Sequence, residues 1–262
     1  MFGLILNENA KIYRRSRTWI FVGIVLLTLV AACLVSHRSF AGSGAQVWKL
    51  MDDASALTML ITIFAAVVAG DSVAGEFSSG TVKLLLTRPV SRLQILWSKY
   101  LSVLLFAFGF VALLFIASWV VGGLVFGFGG ASASYQYVDA HQALQQIPYA
   151  AEVMRSYGFA LIPLLMTLTV SFMISALFRS SSLAIAVSIL LMFAGTLVVG
   201  ALSRYVWDKY ILFANENLGQ YFVGGPMVHG MTLGFSVVVL AVYFVLFHAV
   251  AALAFHRRDV AS

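Results

Sequence analysis

Six long apolar stretches without a charged residue interrupt this 262-residue chain, and they leave it few ways to fold in water. They run over 19–36, 54–70, 100 to about 126, 157–178, 183–203 and about 232–255. A hydrocarbon core of roughly 30 Å is crossed by about 20 apolar residues of helix. Each stretch is near that length, although 54–70 needs an extra turn at one end or the other. The last follows the breaker Gly224-Gly225-Pro226. Apolar residues make up 61% of the chain and charged ones 10%, against about 45–50% and about 25% in a soluble domain. That balance excludes a water-soluble enzyme, a disordered regulator and a nucleic-acid-binding domain. The single cysteine, Cys33, excludes a disulfide framework and a cysteine-based zinc site. The expected fold is all-α, a single polytopic membrane domain over 1–262 with six transmembrane helices.

Lys and Arg set the orientation. With a cytoplasmic N-terminus, the inner segments hold Lys11, Arg14, Arg15, Arg17, Lys83, Arg88, Arg92, Lys99, Arg179, Arg257 and Arg258. The outer ones hold only Arg38, Lys49, Arg155, Arg204 and Lys209. Most acids lie outside: Asp52, Asp53, Asp139, Glu152, Asp208 and Glu216, against Glu8, Asp71, Glu76 and Asp259 inside. Both termini are therefore expected in the cytoplasm, and the net charge of +6 reflects membrane orientation. Val30-Ala31-Ala32-Cys33 resembles a lipoprotein cleavage box. The first apolar stretch, however, exceeds the ~7–15-residue core of a secretory signal, so Cys33 is expected to be a small residue in a retained span.

Residues 1–18 precede the first span. Over 2–17, Phe2, Ile5, Leu6, Ile12 and Tyr13 share one helical face, while Glu8, Lys11, Arg14 and Arg15 crowd the other. This pattern predicts an amphipathic helix in the membrane interface, with a solvated basic leader as the alternative. The inner loop 71–99 is far longer than the ~2–8 residues that join two helices. In it Glu76, Gly80, Lys83 and Thr87 recur at helical spacing beside Leu84-Leu85-Leu86. Pro89 ends that segment, and Ser91 can cap the helix leading into the third span. A short helix at the inner face would dock a partner or pack against the N-terminal helix, and the sequence leaves both open. The outer loop 127–156 starts Gly- and Ser-rich and predicts a short polar helix from Asp139 to Ile147, closed by Pro148. The outer loop 204–231 carries Tyr205, Trp207, Tyr210, Phe213, Tyr221 and Phe222, as an interfacial belt or as a re-entrant or lid-like segment.

Several chemistries find no residues. Gly75-Glu-Phe-Ser-Ser-Gly80-Thr81 imitates a P-loop but lacks the lysine and a preceding strand. His37, His141, His229, His248 and His256 have no metal-ligand spacing and are expected at helix ends. Ser236 is followed by Val237, so no intramembrane protease pattern arises. No catalytic residue and no metal site is expected. Ionisable side chains are missing from the middle of every span, which argues against a proton-coupled pump. Gly123-xxx-Gly127 and Gly230-xxx-Gly234 allow close helix contacts, though pairs this short arise readily by chance.

Taken together, Glu76, Gly80-Thr81, Leu84-Leu85-Leu86, Arg88-Pro89-Val90-Ser91-Arg92 and Lys99 resemble the signature loop of ABC type-2 exporter permeases. Asn7-Glu8 with Lys11 and Arg14-Arg15 is similar to the start of such chains. Phe255 before Arg257, Arg258 and Asp259 is similar to their end, and Trp207 to Phe213 with Tyr221-Phe222 to their last outer loop. The resemblance implies a half-transporter in the cell (plasma) membrane, here a bacterial inner membrane. Two permease chains would pair, as a homodimer or with a related permease, and each would dock a separate nucleotide-binding ATPase subunit. That subunit would bind ATP and Mg, so the chain itself needs no cofactor and is not an enzyme. Glu76, Gly80, Thr81 and Lys83 would lie in the coupling helix, with Arg88 and Pro89 at its exit. The family's cargoes include peptide antibiotics and lipid-linked molecules. Thr58, Met59, Thr62, Met166, Thr167, Thr169, Ser171 and Met173 suit an amphipathic or lipid-like substrate, or serve only as helix-packing contacts. Two rival classes stay open: a non-transporting sensor or signalling subunit that docks an ATPase, and an ATPase-independent channel or carrier. The second should show broken helices or buried charge.

Overall fold

The computed structural model of the chain describes residues 1–39, 45–80, 90–139, 143–226, 228 and 230–257. Thr81, Lys83, Arg88 and Pro89 of the expected coupling loop therefore lie outside the described residues. Among the described residues, six helical segments are long and apolar enough to cross a membrane. They are Ser16–His37, Gln46–Ser72, Arg92–Phe126, Tyr149–Leu177, Ser181–Leu202 and Leu233–His256. The protein is a multi-pass membrane protein.

Helix α1 (Phe2–Tyr13) is separate from α2 (Ser16–Ser39). The expected single helix over 2–17 breaks at Arg14-Arg15, because side chains capture the last carbonyls of α1. Thr18 Oγ1 donates to the Ile12 carbonyl at 2.6 Å, and Trp19 Nε1 to that of Tyr13 at 3.1 Å. The second span is two helices, α3 (Gln46–Ser55) and α4 (Thr58–Ser72), followed at once by the one-turn α5 (Ala74–Ser78). The third span, α6 (Arg92–Phe126), starts with the expected Ser91 cap, which is a full capping box. The Gln94 N–H donates to Ser91 Oγ and the Ser91 N–H to Gln94 Oε1, both at 3.3 Å. Helices α7 (Tyr149–Leu177) and α8 (Ser181–Leu202) form a tight hairpin, and α10 (Leu233–Arg257) closes the bundle.

Helix α4 is apolar on all sides and buried on most, as a central helix must be. Its Ile61, Phe64, Ala65 and Val68 mesh with Val103, Phe106 and Phe110 of α6 and with Leu164, Leu168 and Phe172 of α7. On its remaining side Gly70 admits α8: a Cβ there would stand 3.1–3.3 Å from Ile185, backbone included. Helices α2, α8 and α10 are peripheral, and α10 is only 11% buried over its most apolar window. Its exposed Val238, Val242, Val245 and Leu253 form the kind of face that lipid solvates.

The polar connections fall at two ends. One end holds α1, α5, the start of α6 and the α7–α8 turn with Arg179; it is called the basic end below. At the other end the expected helix from Asp139 to Ile147 is absent. Strands β1 (Ser134–Val138) and β2 (Leu144–Pro148) pair there antiparallel, from Ser134↔Pro148 to Val138↔Leu144. Ser-Tyr-Gln-Tyr-Val alternates with period two and carries aromatic and β-branched residues, which favours strand. Arg155 anchors the hairpin by stacking 4.3 Å above the Tyr137 ring. The glycine pairs do not join helices: a Cβ on Gly123 would strike its own neighbour Phe128, and Gly234 faces open space.

Residues 203–226 hold two 3₁₀ turns, Val206–Tyr210 and Leu218–Tyr221, flanking α9 (Leu212–Asn215). Tyr205, Trp207 and Tyr210 face outward, while Phe213 presses on Gly195 of α8. Ser236, singled out in the sequence, is structural. It donates to Asn215 Oδ1 at 2.7 Å and lies 2.6 Å from the Tyr221 hydroxyl. Asp208 and Glu216 are buried here, and both Asp208 carboxyl oxygens and Glu216 Oε1 have no hydrogen-bond partner among the described residues. Burial pushes the Glu216 carboxyl up to about 8 from an ordinary 4.5. A raised folded-state value means that ionisation costs stability only above the unfolded pKa. Glu216→Gln is therefore expected to leave the melting temperature of detergent-solubilised protein unchanged below about pH 4. Between there and pH 8 it should stabilise increasingly; a pH-independent difference would refute the buried-acid account.

Candidate functional site

Lys99 lies two turns into α6, and its side chain is 1% exposed. Taking an ammonium out of water costs several kcal/mol unless carboxylates replace the solvent. Two do: Lys99 Nζ donates to Glu8 Oε2 at 2.9 Å and to Glu76 Oε1 at 2.6 Å. Lys11 spans the same pair, donating to Glu8 Oε1 at 2.6 Å and Glu76 Oε1 at 3.0 Å. The result is a closed ring of two lysines and two glutamates that joins α1, α5 and α6.

The ring exists because α1 packs with a mixed face inward that carries Glu8 between apolar residues. Leu4, Ile5, Glu8, Asn9 and Ile12 are half-buried at i, i+4 spacing, whereas Phe2, Leu6 and Tyr13 are exposed. Ser98 and Ser102 keep α6 thin where α1 lies on it, and Ser102 Oγ reaches the Ile5 carbonyl at 3.2 Å. Burial alone would raise the Glu8 carboxyl, but Lys99 and Lys11 outweigh it and hold it below the usual range. Burial opposes the charge on Lys11 too, yet Glu8 and Glu76 prevail and raise it.

A second node stands beside the ring. Asp71, at the end of α4, accepts from Arg15, from Arg17 Nη2 at 2.7 Å and from the Ser181 hydroxyl of α8. Between the two nodes lies a cavity of about 380 Å³, bounded by α1, α4, α5 and α6 and lined by charged side chains with Val68, Ser102 and Val103.

Of the residues expected to form the site, Glu8, Lys11 and Glu76 meet in the ring and Arg15 joins the second node. Arg14 is exposed and stands apart from both. Gly80 is not within the helix as the spacing predicted: α5 ends at Ser78, and Gly80 turns the chain at φ 70°. The Ser78 and Ser79 hydroxyls fold back to the Gly75 carbonyl, at 3.1 and 2.7 Å, and compete with helix propagation. Asp71, Arg17 and Ser181 join the site without having been singled out for it, and Lys99, named as the last residue of the signature loop, is its centre. His248 also departs from expectation. It sits well inside α10 rather than at its end, stacked on Trp97 with centroids 5.0 Å apart, and Nδ1 lies 2.8 Å from the Phe244 carbonyl. Among the described residues no group of three His, Cys, Asp or Glu is placed to hold a metal ion.

Fold and site define a six-span membrane protein with a buried ionic ring at its basic end. The chain belongs to the family described as "Protein of unknown function (DUF2705)", whose model matches residues 19–261. It is similar to the "Uncharacterized protein YhcI" of Bacillus subtilis (strain 168), at 35% identity over the whole of both chains. It is also similar to the "Uncharacterized membrane protein YdbK" of the same organism, at 27% identity over 95% of this chain and 99% of that one.

Two outcomes follow from the ring. Lys99→Met leaves two carboxylates facing each other in a buried place and is expected to cost about 3–5 kcal/mol, seen as a lower melting temperature in detergent. A depressed carboxyl contributes stability above its unfolded pKa and loses it as pH falls through the folded one. The stability difference between wild type and Glu8→Gln should thus be constant near neutrality and close in acid. A gap that persists at low pH would assign it to packing instead.

Proposed function

We propose that this chain is the membrane-spanning permease subunit of an ATP-driven exporter of the ABC type. Its basic end faces the cytoplasm, α1 lies in the interface, and α5 is the coupling helix against which a separate ATPase subunit docks. ATP and Mg belong to that subunit, and a second permease chain completes the pathway. The observation that carries the reading is the attachment of α5. A one-turn surface helix is tied by a buried ion pair to a spanning helix, through Lys99, and by a more exposed one to α1, through Lys11. The concentration of Arg14, Arg15, Arg17 and Arg179 at this end supports a cytoplasmic orientation, in a cell membrane.

The sequence allowed the inner loop either to dock a partner or to pack against the N-terminal helix. Packing is observed through the Lys11–Glu76 pair, and docking is the proposal built on it. Helix α1 is placed to feel whatever moves α5. Substrate class rests on less, because the hydroxyls considered for it are spent inside the bundle. Thr62 donates to the Thr58 carbonyl, Ser171 to that of Thr167 and Thr169 to that of Leu165, at 2.7–2.9 Å. An amphipathic or lipid-like cargo is the class that the apolar spans suit.

Purification from native membranes in mild detergent, with mass spectrometry of what accompanies the chain, tests this directly. A near-stoichiometric P-loop ATPase is the expected result. A folded, dimeric protein without one would overturn the assembly. In the reconstituted complex Glu76→Gln is expected to lower transport per ATP hydrolysed while leaving the ATPase bound. Equal coupling in both forms would remove α5 from the mechanism, and a bound ATPase with no cargo movement would assign the sensor role.

A further inference from the structure

Helix α5 has another attachment, of different chemistry. Helix α4 ends at Ser72, and Val73, at φ −104° and ψ −51°, turns the chain into α5. A break of this kind strands backbone N–H groups that must find partners when buried. Ser175 of α7, wholly buried, takes two of them: the N–H groups of Val73 and Ala74 donate to its Oγ at 3.0 and 2.9 Å. Ser181, the first residue of α8, donates to Asp71 just before the break. Both serines belong to the α7–α8 hairpin, and they hold the same elbow from either side. The fit around it is close. Ala74 is 0% exposed, Gly70 lets Ile185 approach, and a Cβ on Gly75 would stand 2.5 Å from Asp71 Oδ1.

We propose that Ser175 and Ser181 are positioning residues that make the α4–α5 elbow and the α7–α8 hairpin one rigid body, so that a displacement of α5 is delivered to α7 and α8. That this serves transport rests on the coupling reading above; the rigid joint itself does not. The ionic ring is built from long side chains and closes on the α1 side through Lys11, which is 43% exposed; the Lys11 pairs stretch and re-form. The Ser175 joint is short and dry and ends on backbone, so parting it would leave two buried N–H groups unpaired. Strain applied to α5 therefore relaxes at the ring and is transmitted at the serines.

The test uses the full chain in lipid nanodiscs with Cys33→Ala and spin-label pairs at exposed sites. One pair is Ser78 on α5 with Leu177 at the end of α7; the other is Ser78 with Leu93 at the start of α6. Pulsed electron resonance should give a narrow Ser78–Leu177 distance that Glu76→Gln leaves unchanged and Ser175→Ala broadens. Ser175→Thr, which keeps the hydroxyl, should stay narrow. Glu76→Gln should broaden Ser78–Leu93 instead. A narrow Ser78–Leu177 distance in Ser175→Ala, or equal broadening in Ser175→Thr, overturns the proposal. If Ser175→Ala does not fold, Gly75→Ala, which pushes the Asp71 carboxylate off Ser181, gives the same readout under the same criteria. With a co-purified ATPase, ATP should shift Ser78–Leu93 and not Ser78–Leu177. Absence of any ATPase would defeat the coupling reading and leave the joint judged by the first comparison.

Discussion

The structure at the basic end depends on how a buried lysine is kept out of water. The Lys99 ammonium sits where α6 is already packed, so it draws a carboxylate from α5 on one side and another from α1 on the other. Each of those carboxylates then needs a further cation, and Lys11 serves both. The ring is neutral as a whole, which makes its burial tolerable, and no three of its members suffice. The orientation of α1 follows: to bring Glu8 toward Lys99 it must turn Phe2 and Leu6 away from the protein, while Tyr13 lies along α6 against Phe106. With α1 in the membrane interface, as proposed, Phe2 and Leu6 would meet lipid, and the ring and the outward apolar residues of α1 would be two sides of one constraint.

The two ends of the bundle treat buried acids differently. At the basic end Glu8, Asp71 and Glu76 are each matched to cations. At the other end Glu216 and Asp208 are enclosed with carboxyl oxygens that have no partner among the described residues, and burial holds Glu216 near 8, protonated at neutral pH. The first arrangement binds elements together through charge. The second tolerates a group only while it is neutral, so the 203–226 segment is held by packing and by neutral bonds such as Ser236–Asn215.

The spans were legible because hydrophobic length is a one-dimensional property: a charge-free run reads the same whatever packs against it. The Ser91 cap was legible for a similar reason, since Gln94 stands three residues on. The break between α3 and α4 was not, because nothing in Ala56-Leu57 opposes helix; the junction tightens to i→i+3 bonds where the Thr58 hydroxyl donates to the Ser55 carbonyl. The β-hairpin was missed because Pro148 and the polar run suggested a capped helix, while the alternation of Tyr135 and Tyr137 carried the true period. The ring was half visible. Lys99 was counted among the inner basic residues and as the last residue of the signature loop, neither of which says anything of burial. The acids held the better clue: on a side dominated by Lys and Arg, three of the four inner acids, Glu8, Asp71 and Glu76, turn out to be the hubs. Ser175 gave no sign at all, since a serine in an apolar helix ordinarily bonds its own preceding turn.

A helix of five residues cannot hold itself in place, because one turn does not repay the cost of forming it. The position of α5 is thus fixed from outside, by Lys99 and Lys11 on one flank and by Ser175 and the Asp71–Ser181 pair on the other. These grips differ in a way that bears on movement. The Lys11 pairs, with that side chain 43% exposed beside a 380 Å³ cavity, can exchange partners with water at modest cost. Backbone N–H groups sealed against a hydroxyl cannot. Any force on α5 then meets a compliant side and a stiff side, and the element on the stiff side moves with it. That inequality requires no nucleotide site or intramembrane charge in this chain. Under the proposed coupling, a partner pressing on α5 would move the α7–α8 hairpin first.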